Sequence, residues 1–161
     1  MSLATDFRPQ YLDDMIGQKT IIDTIRSEFN NNNLKQSYLF MGQSGSGKTT
    51  LANIIANKVN GQTLMIDTAV NNSAEDVRNI VDSIQTKPLI YDKVVVIFDE
   101  VHTLSPKGFA SLLITLEKPP AHVIFILCTT EGDKIPDTIK NRCECFTFSR
   151  IENKDISTRL A

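Results

Sequence analysis

The sequence contains no tryptophan, only three cysteines, and no apolar run near the ~20 residues that a membrane-spanning helix requires. Its first residues, MSLATDFR, lack the long apolar segment of a secretory signal. The 17 Lys and Arg residues against 19 Asp and Glu residues give a net charge of −2, which excludes a surface coated with nucleic acid but leaves a local basic patch open. We therefore expect a cytoplasmic protein with no membrane partner, folded as one domain of ordinary size.

The cysteines are too few and too closely placed for a zinc site. Cys143 and Cys145 are near neighbours, Cys128 precedes them, and no second Cys or Cys/His pair lies at zinc spacing. Buried free thiols in a reducing compartment are the expectation.

Short apolar runs alternate with segments of helical periodicity along the chain. The runs predict strands at 37–41, 63–67, 93–98, 122–128 and 143–148, and the periodicity predicts helices at 18–29, 49–59, 73–87 and 105–118. The third helix begins at a capping-box sequence and the fourth at a Ser-Pro pair. Strands separated by helices predict an α/β fold of three layers around a mostly parallel five-stranded sheet.

The first predicted strand leads directly into GQSGSGKT at 42–49, and a helix follows. This is the phosphate-binding pattern GxxxxGK[ST] in the context that it requires. Glycines let backbone N–H groups face phosphate oxygens, and the helix N-terminus adds a positive dipole. Lys48 supplies a charge to the β- and γ-phosphates, and the Thr49 hydroxyl is a candidate Mg²⁺ ligand. The residues predicted to bind nucleotide here are Gly42, Gln43, Ser44, Gly45, Ser46, Gly47, Lys48, Thr49 and Thr50.

Two adjacent acids, Asp99 and Glu100, end the strand predicted at 93–98. Parallel α/β sheets bind ligands at the carboxyl ends of their strands, so Asp99 is expected beside the phosphate loop as a Mg²⁺ ligand. Glu100 is the candidate general base for a water molecule. P-loop kinases also need an acceptor pocket and a lid, for which the sequence offers no candidate, so the pair favours nucleoside triphosphate hydrolysis.

Thr129 and Thr130 follow the strand predicted at 122–128. By the same geometry, one of these hydroxyls is expected between the acidic pair and the γ-phosphate, where it could position the water.

Taken in order, these segments resemble the AAA+ ATPases of DNA sliding-clamp loaders, most closely the gamma/tau type of bacterial DNA polymerase III. The resemblance covers almost the whole chain. The segments that carry it are FRP (7–9), LDDMIGQ (12–18), the strand and phosphate loop (37–49), FDEVHTLS (98–105), LLITLEKPP (112–120), CTT (128–130) and NRC (141–143).

The resemblance implies roles that spacing alone does not supply. It implies an adenine site at Arg8, Pro9, Ile16 and Gly17. It implies that Thr130 is the sensor-1 residue, with Thr129 as the neighbouring alternative. It also implies that Arg142 is an arginine finger for the nucleotide of an adjacent subunit. The implied catalytic set is Glu100, Lys48, Thr130, Thr129 and Arg142, acting on ATP with Mg²⁺ held by Thr49 and Asp99.

Three features depart from that family. Residues 50–99 contain no cysteine, whereas the bacterial subunits usually carry a four-cysteine zinc module there, so no zinc is expected. The family's Ser-Arg-Cys is Asn141-Arg142-Cys143. Residues 151–161 resemble only the start of a helical lid. We expect an AAA+ core at 1–150, the start of a truncated lid at 151–161, and no lid domain.

The resemblance implies the ATP-binding and hydrolysing motor domain of a clamp loader in DNA replication, weakly active alone. The implied partners are other clamp-loader subunits, the sliding clamp and, through the assembled complex, primed DNA. One alternative is a nucleotide-sensing assembly module without turnover. Another is a Holliday-junction branch-migration motor, which shares the Arg-Pro and Ile-Gly-Gln opening; Glu117-Lys-Pro-Pro and Arg142-Cys143 favour the clamp loader.

Overall fold

The computed structural model describes residues 11–15 and 17–150. Helices and strands alternate, as the sequence predicts. In chain order they are α1 (Lys19–Asn30), β1 (Ser37–Met41), α2 (Lys48–Lys58), β2 (Gly61–Asp67), α3 (Ala74–Ser83), β3 (Lys93–Asp99), α4 (Pro106–Glu117), β4 (Val123–Thr129), α5 (Asp137–Lys140) and β5 (Glu144–Thr147). Short 3₁₀ turns lie at Leu12–Asp14, Val101–Thr103 and Gly132–Lys134.

The five strands form one sheet in the order β2-β3-β4-β1-β5, and every pairing is parallel. Met41 at the end of β1 lies opposite Thr129 at the end of β4, and Asp67 lies opposite Asp99. All five strands therefore end at one side of the sheet, which we call the carboxyl edge. The expected mostly parallel α/β sheet is confirmed.

Helices cover both faces of this sheet, so its central strands have no polar face. Residues 94–98 and 123–129 are buried throughout, as expected where a parallel sheet has helices on either side. One apolar cluster joins α1 and α2 to one face, around Ile25, Leu51 and Phe40. A second joins α3, α4 and α5 to the other face, around Val77, Leu112 and Phe125.

Two helix starts follow the local chemistry that the sequence indicates. Ser73 and Asp76 form a reciprocal capping box at the start of α3. The Ser105 side chain accepts from the Gly108 backbone N–H at 3.0 Å, and Pro106 occupies the first turn of α4. Both predicted caps are confirmed.

The structure differs from the sequence expectations in several places. The helix predicted at 73–87 ends at Ser83, because the Ile84 N–H bonds to the Val81 carbonyl and closes the last turn. β2 begins at Gly61 rather than residue 63, because Gly61 already pairs with Lys93 of β3. The expectation of three buried thiols is wrong for Cys145, which is exposed, while Cys128 is buried and Cys143 is half-buried. Cys145 lies on β5, an outermost strand of the sheet, where fewer neighbours cover the side chains.

Several predictions fall outside the described residues: the adenine contacts Arg8, Pro9 and Ile16, and the lid segment 151–161. Within the described part of the chain, none of the helices is both long enough and apolar enough to cross a membrane.

Candidate functional site

The predicted site residues follow three neighbouring strands at the carboxyl edge. The phosphate loop leaves β1. Thr129 is the last residue of β4 and Thr130 follows it, while Asp99 is the last residue of β3 and Glu100 follows it. Because β4 lies between β1 and β3 in the sheet, the two threonines separate the phosphate loop from the acidic pair. The structure thus brings these segments together, as the strand-end argument predicts.

The phosphate loop begins at a glycine that no other residue could replace without movement. The Gly42 N–H donates to the Thr129 carbonyl at 3.1 Å, which ties the loop to β4. A Cβ on Gly42 would lie 2.8 Å from the Phe148 carbonyl oxygen. The Phe148 N–H in turn donates to the Met41 carbonyl at 2.6 Å, so the segment after β5 packs directly against the loop.

The loop ends at the start of α2, where the backbone presents free N–H groups. Gly47 is the N-cap residue in a left-handed conformation, with φ of 104°, and it offers no side chain to the first turn. The first N–H groups of a helix lack partners within it, so they are available to a bound anion at this end of α2.

Lys48 points into the loop. Its side chain is buried, and its ammonium donates to the carbonyl oxygens of Gly42 and Gln43 at 2.6 and 2.8 Å. Burial lowers the pKa of Lys48, while the nearby charges of Glu100 and Asp99 act in the opposite direction. The cation is therefore held against the backbone of the loop, where it can attract phosphate oxygens bound at the start of α2.

Gln18 joins the phosphate loop to the end of the described chain. Its amide nitrogen donates to the Ser46 carbonyl at 3.1 Å and to the Ser149 carbonyl at 2.5 Å. Its amide oxygen accepts from the Ser149 N–H at 2.9 Å. The residue is buried, so these bonds fix the position of the loop relative to the segment after β5.

The backbone of Glu100 is held in a conformation that non-glycine residues rarely adopt, with φ of 54° and ψ of 48°. The buried Thr68 hydroxyl donates towards the Asp99 and Glu100 carbonyl oxygens, at 2.7 and 2.6 Å. The Thr103 hydroxyl also donates to the Glu100 carbonyl, at 2.8 Å. These bonds hold the chain turned at the end of β3, so that the Glu100 side chain stays at the carboxyl edge.

The two threonines after β4 have different surroundings. The exposed Thr130 hydroxyl donates to Glu100 Oε2 at 3.2 Å. The Thr129 hydroxyl is buried, accepts from the Glu131 N–H at 2.9 Å, and lies 2.8 Å from His102 Nδ1. Thr130 therefore contacts the acid directly, whereas Thr129 contacts it only through His102.

Arg142 lies away from the other predicted site residues. It comes just before β5, whose Glu144 pairs with Tyr38 near the start of β1, so Arg142 is at the side of the sheet opposite the carboxyl edge. Tyr38 and Gly42 are about 13 Å apart along the strand. The half-exposed guanidinium lies 3.6 Å from the Glu117 carboxylate.

The sequence matches a known family over most of its length. The model of the ATPase family associated with various cellular activities (AAA) matches residues 38–151, from β1 to just beyond the described residues. The chain belongs to the AAA family.

Several similar proteins are subunits of bacterial DNA polymerase III. The tau subunit of Bacillus subtilis is 38% identical over 96% of this AAA chain and 32% of its own length. The gamma subunit of Buchnera aphidicola from Acyrthosiphon pisum is 36% identical over 96% of this chain and 49% of its own. The tau subunit of Escherichia coli is 32% identical over 98% of this chain and 28% of its own length. The resemblance to gamma/tau subunits is confirmed, and the chain spans less than half the length of these relatives.

Solved structures share the AAA fold. The RuvB Holliday junction branch migration motor of Thermotoga maritima has a TM-score of 0.78 at 22% identity, over 96% of this chain and 52% of that one. A DNA polymerase III gamma subunit-related protein of the same organism has a TM-score of 0.67 at 19% identity. The match covers 81% of this chain and 47% of that one. At these identities, the structures establish the fold alone.

Nucleotide and Mg²⁺ are the ligands that the AAA family implies, and the oxygen donors at the carboxyl edge fit the metal. Thr49 offers a hydroxyl in the first turn of α2, and Asp99 offers a carboxylate at the end of β3. Mg²⁺ prefers such hard oxygen ligands. Among residues 11–15 and 17–150, no group of three or more His, Cys, Asp or Glu side chains forms a metal site.

Three residues that contact the AAA site carry no role in the sequence prediction: Gln18, Thr68 and His102. Thr68 directly follows β2, so the strand-end rule that found Thr130 could have found it too. His102 lies within the FDEVHTLS segment, and Gln18 closes the LDDMIGQ segment. No spacing rule indicates their hydrogen bonds, because their partners are 27 to 131 residues away.

Proposed function

We propose that this AAA domain binds and hydrolyses ATP as the motor domain of a DNA sliding-clamp loader subunit. The observation that carries the proposal is the juxtaposition of the phosphate loop, Thr130 and the Asp99-Glu100 pair on adjacent strands, with Thr130 bonded to Glu100. The gamma and tau relatives support the assignment to a clamp loader.

In the proposed reaction, water attacks the γ-phosphorus, the bond to ADP breaks, and Glu100 takes the proton of the water. Lys48 and the N–H groups at the start of α2 bind the phosphates, and the loop residues 42–50 surround them. Mg²⁺ on Thr49 and Asp99 would neutralise charge on the phosphates. Thr130 orients the Glu100 carboxylate. Gly17, with Arg8, Pro9 and Ile16, is proposed to contact the adenine.

Arg142 is proposed to act on the nucleotide of a neighbouring subunit. Its place at the opposite side of the sheet supports action in trans, because the phosphate loop of its own chain is at the carboxyl edge. A donated arginine contributes about 10³–10⁵ to the rate in related phosphoryl transfer, so we expect slow hydrolysis by the dilute chain.

The proposed partners are other clamp-loader subunits and a sliding clamp, with primed DNA reached through the assembled complex. We propose residues 1–150 as the AAA core and 151–161 as the start of a lid. The absence of a zinc module and the cytoplasmic location remain predictions.

The test separates binding from hydrolysis. Glu100→Gln should bind Mg²⁺-ATP with a Kd within about threefold of that of the unmodified chain. It should lose hydrolysis, because the amide cannot take a proton from water. Hydrolysis is measured with protein in excess over labelled ATP. Glu75→Gln, an exposed glutamate on α3, is the matched control and should leave both unchanged. Measurable hydrolysis that Glu100→Gln leaves unchanged would overturn the role of Glu100 as the base. ATP binding without any hydrolysis by the unmodified chain in an assembled complex would instead favour a nucleotide-sensing module.

The trans role of Arg142 has its own test. Glu100→Gln and Arg142→Ala chains, each inactive, should regain activity when mixed in an assembled complex, because one chain then supplies the acid and the other the arginine. No recovery in a verified mixed complex contradicts the trans assignment. Co-purification with a sliding clamp supports the clamp loader, whereas selective association with junction DNA favours a branch-migration motor.

A further inference from the structure

His102 connects the ends of two strands at the proposed hydrolysis site. It follows Glu100 by two residues, in the 3₁₀ turn after β3, and its side chain is only 11% exposed. Nδ1 lies 2.8 Å from the Thr129 hydroxyl. Nε2 lies 2.9 Å from Glu131 Oε2 and 3.4 Å from Glu100 Oε2. The imidazole therefore bridges the end of β3 and the segment that follows β4.

Proton balance indicates which ring nitrogen carries the hydrogen. The Thr129 hydroxyl already accepts from the Glu131 N–H at 2.9 Å, and Nδ1 is the partner to which it can donate its own proton. With Nδ1 as the acceptor, the ring proton is on Nε2. Nε2 lies near two carboxylates, with Glu131 at the shorter distance and Glu100 at the longer one.

Both polar contacts of the Glu100 carboxylate fall on the same oxygen. Oε2 accepts from the Thr130 hydroxyl at 3.2 Å and faces His102 Nε2 at 3.4 Å. Within the described residues, Oε1 has no such contact. Anchoring Oε2 from two sides fixes the carboxylate and leaves Oε1 to accept a proton from water.

We infer that His102 is a positioning residue for ATP hydrolysis: its Nε2–H holds the Glu100 carboxylate and links it to Glu131, in the segment after β4. This inference rests on the proposed function. His102 itself does not contact the reacting atoms in this arrangement. It acts by restricting the orientations of Glu100, so its loss should slow turnover without weakening nucleotide binding.

The test compares side chains of different donor capacity at position 102 in the full chain. His102→Leu fills the space without a donor and should lower the single-turnover rate constant at saturating Mg²⁺-ATP by about 10- to 100-fold, the range expected for a bond to a charged group. The Kd for ATP should stay within about threefold. His102→Gln keeps an N–H donor of similar reach and should recover most of the rate.

A matched control and a double variant exclude a merely structural role. The other histidine, His122, lies just before the start of β4. It is also hydrogen-bonded, because its Nε2 lies 2.8 Å from the Ile84 carbonyl oxygen. His122→Leu should leave the hydrolysis rate unchanged. In a Glu100→Gln background, which binds ATP without hydrolysing it, His102→Leu should leave the Kd for ATP unchanged, because His102 acts through Glu100 and not on nucleotide binding. If His102→Leu does not fold, His102→Asn replaces it, since its shorter amide falls short of the carboxylates and should be slow where Gln is active.

The outcomes distinguish this inference from the proposed function. If Glu100→Gln abolishes hydrolysis but His102→Leu and His102→Asn turn over normally, the positioning role is wrong and the ATPase assignment stands. Equal loss of ATP affinity and melting temperature in the Leu and Gln variants also overturns the positioning role. If hydrolysis does not depend on Glu100, both proposals fail together.

Discussion

The Thr130 hydroxyl donates a hydrogen bond to Glu100 Oε2 at 3.2 Å and so connects the end of β4 with the end of β3. Thr129, one residue earlier, points the other way, to His102 and the Glu131 backbone. Thr129 is the last residue of β4 and Thr130 is the first residue after it, and only the Thr130 hydroxyl contacts the acid. The structure therefore separates two threonines that the sequence leaves as alternatives.

Removal of the hydroxyl group should lower mainly the hydrolysis rate at Thr130 and mainly the stability at Thr129. Thr130→Val should lower hydrolysis about 10-fold with little change in stability, because its side chain is exposed and its one bond is to Glu100. Thr129→Val should lower the free energy of unfolding by about 1–3 kcal/mol, because it leaves buried groups without a partner. Urea denaturation and single-turnover hydrolysis measure both, and a reversal of the two patterns would assign Thr129 to the site.

Lys48 should contribute to nucleotide binding through its charge. We expect Lys48→Met to weaken Mg²⁺-ATP binding by about 10- to 100-fold in calorimetric titrations, the range for hydrogen bonds to charged groups. Lys58→Met is the control at the other end of α2, where the ammonium lies 4.8 Å from the Phe29 ring centre. It should leave ATP affinity unchanged. Equal weakening by both substitutions would indicate a general effect on α2 instead of a phosphate contact.

Local patterns predicted the strands, the helix starts and the phosphate loop, because each depends on residues close together in the chain. The capping box at Ser73 and the run of buried residues at 94–98 are of this kind. The strand-end rule then placed Asp99, Glu100 and the threonines at one edge without knowledge of the strand order. That prediction succeeded because every strand of a parallel sheet ends on the same side.

The contacts that the sequence did not predict join distant segments. Gln18 reaches Ser149 across 131 residues, and Thr68 reaches the Glu100 backbone across 32. Such pairs depend on the strand order, which sets β2 beside β3, and on the packing of the segment after β5 against the loop. The exposure of Cys145 likewise depends on β5 being an outermost strand, which periodicity within the strand does not indicate.

Thr68 should stabilise the turned backbone at Glu100. Thr68→Val keeps the shape but removes the hydroxyl that bonds to the Asp99 and Glu100 carbonyls, so we expect a loss of about 1–3 kcal/mol in unfolding free energy. Hydrolysis should fall as well, since Glu100 loses its fixed backbone. Thr63→Val, on the exposed side of β2, should change stability by no more than about 0.5 kcal/mol. Similar stability losses in the two variants would contradict a specific role for the Thr68 hydroxyl.

Glu144 should make stability depend on pH near neutrality. Burial, followed by the neighbouring Glu28 carboxylate, raises the pKa of Glu144 to about 7, although Lys35 opposes the shift. Glu28 is itself buried and accepts from the Tyr38 hydroxyl at 2.5 Å, and Glu144 Oε2 is buried with no hydrogen-bond partner among the described residues. The folded chain therefore keeps a proton on Glu144 over a pH range in which the unfolded chain has lost it.

Between about pH 4.5 and 7, the folded state binds more protons at Glu144 than the unfolded state, so this group makes stability fall as pH rises through that range. Urea denaturation at intervals from pH 5 to 8 should show a decline that Glu144→Gln removes, because the amide is neutral at every pH. The Gln variant should also be the more stable protein at pH 8. Glu75→Gln, which removes an exposed carboxylate, should keep the decline. An unchanged slope in Glu144→Gln would mean that the β5 carboxyl is ionised in the fold at neutral pH.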